Sequence, residues 1–187
     1  MKQHPSDELR KIHSAIRLKH AASMMKELPE QEMAVRFLTG EERVLEIGGN
    51  VGRNSLVISA LQEGKNGSLT VVESDPSIAA RLIENRDANR ARFRVVAGAI
   101  SKRKMFQKHW RCVQADVSPG PDYVEIPIVD YATVSGGASF DALVVDCEGA
   151  IGQIIDEYPE LMNGVSKIII ENDFMDDAEK HRVHEVF

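Results

Sequence analysis

Short apolar runs alternate with longer amphipathic segments through most of this chain. The apolar runs predict five strands, at 43–47, 68–72, 92–96, 140–146 and 166–170. Helical spacing predicts helices between them, at 54–61, 77–91 and 148–161. Strands that alternate with helices indicate βαβ units and a parallel sheet covered on both faces. We therefore expect an α/β fold with a doubly wound, mostly parallel sheet.

The N-terminal part of the chain has a helical pattern instead. A capping-type start at Ser6 and an apolar stripe from Leu9 to Leu28 predict one helix, and a second short helix is expected at about 30–38. We expect residues 1–39 to form an N-terminal helical segment on an α/β domain of residues 40–187, within a single globular unit.

The segment between the third and fourth predicted strands is the least regular. Residues 101–139 carry many charges and glycine and proline pairs. A short strand at an edge or in a hairpin is expected at 124–129, and a helical turn at 130–134. A final polar helix is predicted from about Asp176 to the end of the sequence.

Composition limits the partners and the compartment. The net charge of −6 provides no field that favours nucleic acid or an anionic membrane, so we expect neither as a partner. No apolar run approaches the ~20 residues of a membrane span, and no secretory signal is visible. The two cysteines, Cys112 and Cys147, have no metal-ligand spacing and form no disulfide framework, so a reducing, cytoplasmic compartment is expected.

A glycine-rich turn follows the first predicted strand. Gly48 and Gly52 bracket it, and glycine lets a ligand approach the backbone closely. A dinucleotide fingerprint would need further glycines where Asn50 and Arg53 stand, which argues against an NAD-dependent oxidoreductase. The carboxylate of Glu46 beside the turn suits a ligand with a positive centre better than a pyrophosphate. A plain tight turn is the alternative interpretation.

Acidic residues stand at the ends of four of the five predicted strands. Ligands of open α/β sheets bind at these carboxyl ends, near the point where the strand order reverses. Glu73 ends the second strand, 27 residues after Glu46, and is placed to accept two hydrogen bonds from a ribose diol. Capping of the next helix, together with Ser74 and Asp75, is the other interpretation of Glu73.

These motifs together resemble a known family. The sequence is similar to the class I S-adenosylmethionine-dependent methyltransferases and, within them, to the FkbM-like family. The resemblance covers roughly residues 40–175 and runs through segments 44–52, 72–76, 85–89, 97–101, 140–150 and 168–171. The pattern Asp-x-Glu-Gly at Asp146, Glu148 and Gly149 is the part that points to FkbM-like proteins. The resemblance implies a Rossmann-like fold and S-adenosylmethionine as cofactor.

The resemblance also implies a role for each matching residue. The methionine half of the cofactor would be bordered by the glycine turn with its preceding acid, namely Glu46, Gly48, Gly49, Asn50 and Gly52. The ribose would be held by Glu73 with Ser74, and the adenine would lie against Gly98 and Ala99. Asp146 and Glu148 would face the methyl group and the acceptor as catalytic residues, with Asp146 also touching the cofactor.

The family's usual chemistry is O-methylation of a hydroxyl on a small molecule or sugar. Transfer to oxygen requires in-line alignment and removal of a proton, for which Asp146 is the first candidate and Glu148 the second. Capping of the following helix is the alternative role of Asp146. We expect Cys147 to be structural and to point away from Asp146. A catalytically inactive S-adenosylmethionine-binding module or partner subunit is the second hypothesis for the chain.

Two further expectations concern a metal and the free sheet edge. Asp146, Glu171 and Asn172 form an oxygen-ligand set that resembles the Mg²⁺ site of catechol-type O-methyltransferases, although the latter two could simply line the acceptor pocket. Class I methyltransferases normally have seven strands, and only five are predicted before Phe187. Either the sequence is truncated or a five-stranded form exposes its last strand. Such an edge favours pairing with another chain, as in a homodimer.

Overall fold

The computed structural model describes residues 5–21, 23–171, 180, 181, 183 and 185. Its helices are α1 (Asp7–Ala15), α2 (Leu28–Phe37), α3 (Arg53–Leu61), α4 (Pro76–Ala88), α5 (Tyr131–Ser135) and α6 (Ile151–Glu157), with a 3₁₀ helix at Pro159–Met162. Its strands are β1 (Arg43–Ile47), β2 (Ser68–Glu73), β3 (Arg94–Ala97), β4 (Ala99–Ile100), β5 (Met105–Lys108), β6 (Arg111–Gln114), β7 (Val124–Ile126), β8 (Ile128–Val129), β9 (Ala142–Val145) and β10 (Lys167–Ile170). No helix within these ranges is long and apolar enough to cross a membrane.

A five-stranded parallel sheet forms the centre of the molecule. Its strand order is β10-β9-β1-β2-β3. The chain first adds β2 and β3 on one side of β1, and it later adds β9 and β10 on the other side. The order therefore reverses between β1 and β9. The prediction of a doubly wound, mostly parallel α/β sheet is confirmed.

The two faces of this sheet bury different sets of side chains. Val44, Val71 and Val144 pack in one apolar cluster with residues of α2, α3 and α4. Leu45 and Leu143, one position along, pack in another cluster with residues of α5 and α6. Neighbouring residues of a strand point to opposite faces, and this alternation decides which side chains of β1 can reach a ligand.

The predicted helix from Ser6 to Leu28 is wrong beyond its first half. Ser6 caps α1 as expected, but the helix ends at Ala15. The described residues of 16–27, which we name the N-terminal strap, then pass over α4, where the side-chain oxygen of Asn85 accepts a hydrogen bond from the backbone N–H of Lys19 (2.7 Å). Asn85 is fully buried and donates to the carbonyl of Val51 (2.8 Å). The side chain of Asn85 thus accepts the backbone hydrogen bond that a carbonyl one turn earlier would accept if the helix continued.

The irregular segment, together with β4 just before it, forms two small sheets beside the main one. β5 pairs with β6 and β7 in an antiparallel sheet, while β4 pairs in parallel with β8. The single strand predicted at 124–129 is divided at Pro127, because its two halves pair with different partners. Most of the polar helix predicted from Asp176 lies outside the described residues.

Candidate functional site

An open cleft of about 920 Å³, which we name the main cleft, lies at the carboxyl ends of the central strands. It therefore occupies the place where open α/β sheets bind ligands. Eight of the predicted site residues line it: Gly48, Asn50, Glu73, Ser74, Gly98, Ala99, Asp146 and Glu148. Of the other predicted residues that the structure describes, none lines the main cleft: Glu46, Gly49, Gly52 and Glu171.

The glycine turn forms one wall of the main cleft from backbone. Gly48 has a φ of +92°, and a Cβ atom there would lie 1.6 Å from the carbonyl oxygen of Asp146. Its N–H donates to the carbonyl of Val72 (2.9 Å), which ties the turn to the neighbouring strand. Only glycine allows this conformation and this approach, so the turn is fixed against both β2 and β9.

Glu73 joins the glycine turn to the end of β2. Its carboxylate accepts hydrogen bonds from the backbone N–H of Asn50 (2.8 Å) and of Asp75 (2.9 Å). Burial raises the pKa of Glu73, and these two hydrogen bonds partly oppose the rise. The N-cap of α4 is Asp75, which accepts from the N–H groups of Ser77 and Ile78. Asp75 is therefore the residue that caps α4, and Glu73 lines the main cleft.

Three predicted cofactor residues do not line the main cleft. The side chain of Glu46 turns to the α3 face, where it accepts from Ser55 (2.5 Å) and Asn54 (3.1 Å). A Cβ atom on Gly49 would lie 2.2 Å from a side-chain atom of Val71, and one on Gly52 would lie 2.4 Å from Leu82. These glycines therefore allow close packing behind the turn.

The acidic turn after β9 approaches the main cleft from the other side of β1. Asp146 is half-buried and its N–H donates to the carbonyl of Ile47 (3.0 Å), while Glu148 is exposed with a φ of +52°. The N-cap of α6 is Ala150, so Asp146 does not take that position. Cys147 also lines the cleft, and it packs against the apolar cluster that contains Leu45 and Leu143. Its expected orientation away from Asp146 stays a prediction.

Only two of the three predicted magnesium ligands, Asp146 and Glu171, lie within the described residues. Glu171 is exposed after β10, and Asn172 lies outside the described residues. Among the residues that the structure describes, no group of three or more histidine, cysteine, aspartate or glutamate side chains could hold a metal ion. The structure therefore gives the Mg²⁺ hypothesis no support.

A smaller and narrower cavity, which we name the side cavity, adjoins the main cleft. Gly48 and Asp146 line both spaces, and Glu27, Glu30 and Glu46 add three carboxyl groups to the side cavity. Burial raises the pKa of Glu46 to about 8, and it also raises the pKa values of Glu27 and Glu30.

Two buried acceptor atoms of the side cavity lack donors. Within the described part of the chain, neither Oε2 of Glu30 nor Oδ1 of Asn54 has a hydrogen-bond partner. Asn54 is 6% exposed. An unpaired buried acceptor is unfavourable, so the cavity is suited to a ligand that donates hydrogen bonds or carries positive charge.

The opposite wall of the main cleft was missed by the sequence analysis. It is formed by the hairpin of β5 and β6, from which Gln107, Trp110 and Cys112 line the cleft. Ser74 lies within hydrogen-bonding distance of Gln107 (3.5 Å) and of Cys112 (3.8 Å), which places this wall next to Glu73. Trp110 lies in the turn and is 57% exposed.

Solved structures with a similar fold come from methyltransferases. The O-methyltransferase TomG from Streptomyces achromogenes, in complex with S-adenosylmethionine, matches with a TM-score of 0.52 and 16% identity over 97% of this chain and 78% of that chain. TomG is involved in tomaymycin synthesis. Cofactor-bound Rv0187 from MTB matches with a TM-score of 0.52 and 16% identity over 96% of this chain and 73% of that chain.

A third example is the methyltransferase PaMTH1 from Podospora anserina, bound to S-adenosylhomocysteine. It matches with a TM-score of 0.50 and 15% identity over 91% of this chain and 64% of that chain. The chain has the Rossmann-like fold of class I methyltransferases. No protein-family model matches the chain. No curated protein matches it either. At these identities the likeness establishes the fold, and the function must be argued from the site.

Proposed function

We propose that the protein is an S-adenosylmethionine-dependent methyltransferase. The observation that carries the proposal is the bond between the carboxylate of Glu73 and the N–H of Asn50, which fixes an acid at the edge of a glycine turn inside the main cleft (2.8 Å). An acid after the second strand of such a sheet is placed to bind a ribose diol. The fold, shared with methyltransferases, supports this choice of nucleoside.

We assign the two halves of this cofactor to the two adjoining spaces. We propose that the adenosine occupies the main cleft against Gly98 and Ala99, with Ser74 beside the ribose. The amino-acid tail, with its ammonium group, would extend past Gly48 into the side cavity, where Oδ1 of Asn54 has no donor among the described residues. Glu46 would act from behind the turn, through Ser55 and Asn54, and would not touch the cofactor from the main cleft.

The acceptor would bind near Asp146, which lines both spaces. When bound, the cofactor supplies an electrophilic methyl group. Asp146 would orient the acceptor hydroxyl and take its proton, and Glu148 would be the second candidate for this step. The acceptor class that we propose is a hydroxyl of a small molecule or sugar, and the Asp146, Glu148 and Gly149 pattern supports an FkbM-like member of the class.

The cellular setting is part of the proposal. Neither Cys112 nor Cys147 forms a disulfide within the described residues, and we propose a reducing compartment such as the cytoplasm. Pairing of two copies through the outer edge of β10 stays a prediction. No nucleic acid is proposed as a substrate, because the net charge is −6.

Calorimetry with S-adenosylhomocysteine tests the proposal. We expect saturable binding to the wild-type protein, and Glu73→Gln should weaken it by about tenfold to a hundredfold because the ribose loses a charged acceptor. Glu63→Gln removes a comparable charge from an exposed position after α3 and should leave the affinity unchanged. Absence of binding at millimolar ligand would refute the proposal. Binding without turnover on any hydroxyl acceptor would favour the inactive module.

A further inference from the structure

A buried ion pair lies directly beside the side cavity. Nη1 of Arg53 donates to Oε1 of Glu27 at 2.8 Å, and the two side chains are only 9% and 16% exposed. Nε of Arg53 donates to the backbone carbonyl of Ser23 in the N-terminal strap (3.0 Å). The guanidinium is thus held in place by one backbone contact and one carboxylate.

The carboxylate of Glu27 stands at the border of the ligand space. Glu27 lines the side cavity and ends the N-terminal strap with a φ of +60°, just before α2. Its Oε1 also lies 3.5 Å from Nδ2 of Asn50, in the glycine turn. A carboxylate of the protein is therefore bound by two donors that belong to the turn and to the start of α3.

The amino-acid tail of the proposed cofactor is a zwitterion. Its ammonium group can donate to the unpaired acceptors Oε2 of Glu30 and Oδ1 of Asn54. Its carboxylate needs a cation or several N–H donors. Within the described ranges, no lysine, arginine or histidine lines the main cleft or the side cavity. Arg53 is next to the side cavity and is separated from it by the carboxylate of Glu27.

We propose that Arg53 binds the carboxylate of the cofactor's amino-acid tail, and that Glu27 occupies the same position in the ligand-free protein. This inference rests on the proposed function. Binding would exchange one carboxylate for another on the same guanidinium, and Glu27 would move outward with the end of the N-terminal strap. The strap would then respond to occupancy of the site.

The exchange avoids the main penalty of opening a buried ion pair. Removal of one partner leaves an uncompensated buried charge, whereas an exchange of carboxylates keeps Arg53 paired throughout. The contact to Ser23 fixes Nε of Arg53, so the guanidinium does not need to move far. Burial raises the pKa of Glu27 despite the nearby arginine, which agrees with a carboxylate that is easily displaced from this position.

Two nucleosides that differ in the tail test this inference. Calorimetry would compare S-adenosylhomocysteine, which has the amino-acid tail, with 5′-methylthioadenosine, which lacks it. Arg53→Gln should weaken the binding of S-adenosylhomocysteine by about tenfold or more, and should change the affinity for 5′-methylthioadenosine by less than about twofold. Glu27→Gln should strengthen the binding of S-adenosylhomocysteine by about tenfold, because the competing carboxylate on Arg53 is removed. It should leave the affinity for 5′-methylthioadenosine unchanged.

Unchanged binding of 5′-methylthioadenosine also shows that each variant has a folded site. Lys167→Met provides a matched control, because it breaks another partly buried ion pair, with Glu42, at the opposite end of the sheet. It should not alter the ratio of the two affinities. Equal losses for both nucleosides in Arg53→Gln, or weaker S-adenosylhomocysteine binding in Glu27→Gln, would overturn the inference alone. A wild-type protein that binds neither nucleoside would overturn the proposed function as well.

Discussion

The two walls of the main cleft are built in different ways. The wall of the glycine turn is largely backbone, and hydrogen bonds through Gly48 and Asn50 connect it to β2. The opposite wall consists of side chains on the β5–β6 hairpin, with Trp110 more than half exposed. A backbone wall fixed on both sides cannot vary without loss of the fold, whereas side chains on a hairpin can change with little effect on the core. We infer that the wall of the glycine turn binds the cofactor, which is the same whatever the acceptor. We infer that the hairpin wall selects the acceptor or closes over the bound molecules.

Gly48→Ala should have the largest effect. The new Cβ atom would collide with the backbone of Asp146 at a φ of +92°, so we expect a loss of at least about 3 kcal/mol in the free energy of unfolding and no detectable S-adenosylhomocysteine binding. Chemical denaturation and calorimetry would measure the two effects.

Gly64→Ala is a matched control for the glycine turn. Gly64 also has a positive φ, +74°, but nothing lies within 4 Å of its added Cβ atom. Gly64→Ala should therefore reduce the free energy of unfolding by only about 1 kcal/mol and leave the affinity for S-adenosylhomocysteine unchanged. Similar losses in both variants would mean that strain, and not the contact with β9, makes Gly48 necessary.

Asp146→Asn should separate catalysis from binding at the point where the walls meet. Because the amide cannot accept a proton, we expect turnover to fall by about a hundredfold or more, with S-adenosylhomocysteine affinity within about threefold of wild type. Single-turnover rates and calorimetry on the same preparations would test this. Glu148→Gln should have the smaller effect on turnover, and the reverse order would exchange the two proposed roles.

The difference between the walls also explains what the sequence could predict. The bounds of β1 were predicted at Arg43–Ile47, because a short apolar run before a glycine turn is a local signal. The β5–β6 hairpin was missed, since its two-residue turn is His109 and Trp110, without the Asn-Gly or Asp-Gly that usually marks such a turn. The parallel pairing of β4 with β8 has no local signal at all, because its partners are distant in the chain.

Glu46 illustrates a second limit of sequence analysis. Its position next to the glycine turn predicted contact with the cofactor, and its chemistry was suitable. Strand alternation turns the side chain away from the main cleft, to the face that carries Val44, Val71 and Val144, where it lines the side cavity. Which of the two spaces the carboxyl group of Glu46 reaches is a property of the assembled sheet, so a motif could not supply it.

Glu46 should also make stability depend on pH, in a way that tests whether it supports the turn from behind. Burial raises its pKa from 4.5 to about 8, so the folded state keeps a proton that the unfolded state loses between these values. The contribution of protonated Glu46 to the free energy of unfolding is therefore complete below pH 4.5. It falls by about 1.4 kcal/mol per pH unit as the pH rises toward 8. Glu46→Gln should be more stable than wild type at pH 8 and nearly equal at pH 4.

Glu42 supplies the opposite sign as a control for this measurement. Burial alone would raise its pKa, but hydrogen bonds from Lys167 and Thr39 outweigh it and lower the pKa to about 2. Its stabilisation is present above pH 4.5 and is lost as the pH falls toward 2. Glu42→Gln should therefore destabilise the protein at neutral pH, and denaturant unfolding across this range would compare both variants. Parallel curves for Glu46→Gln and wild type would refute a neutral Glu46.

Trp110→Ala should have the smallest effect and probes the hairpin wall. The indole lines the main cleft but is 57% exposed, so its loss should change the free energy of unfolding by less than about 0.5 kcal/mol. If the hairpin closes over the nucleoside, S-adenosylhomocysteine affinity should fall by about fivefold, as expected for one lost aromatic contact of about 1 kcal/mol. Val117→Ala, a more exposed apolar side chain that does not line the cleft, is the control. Unchanged affinity in Trp110→Ala would instead assign this wall to the acceptor, since the indole would then lie outside the reach of the cofactor.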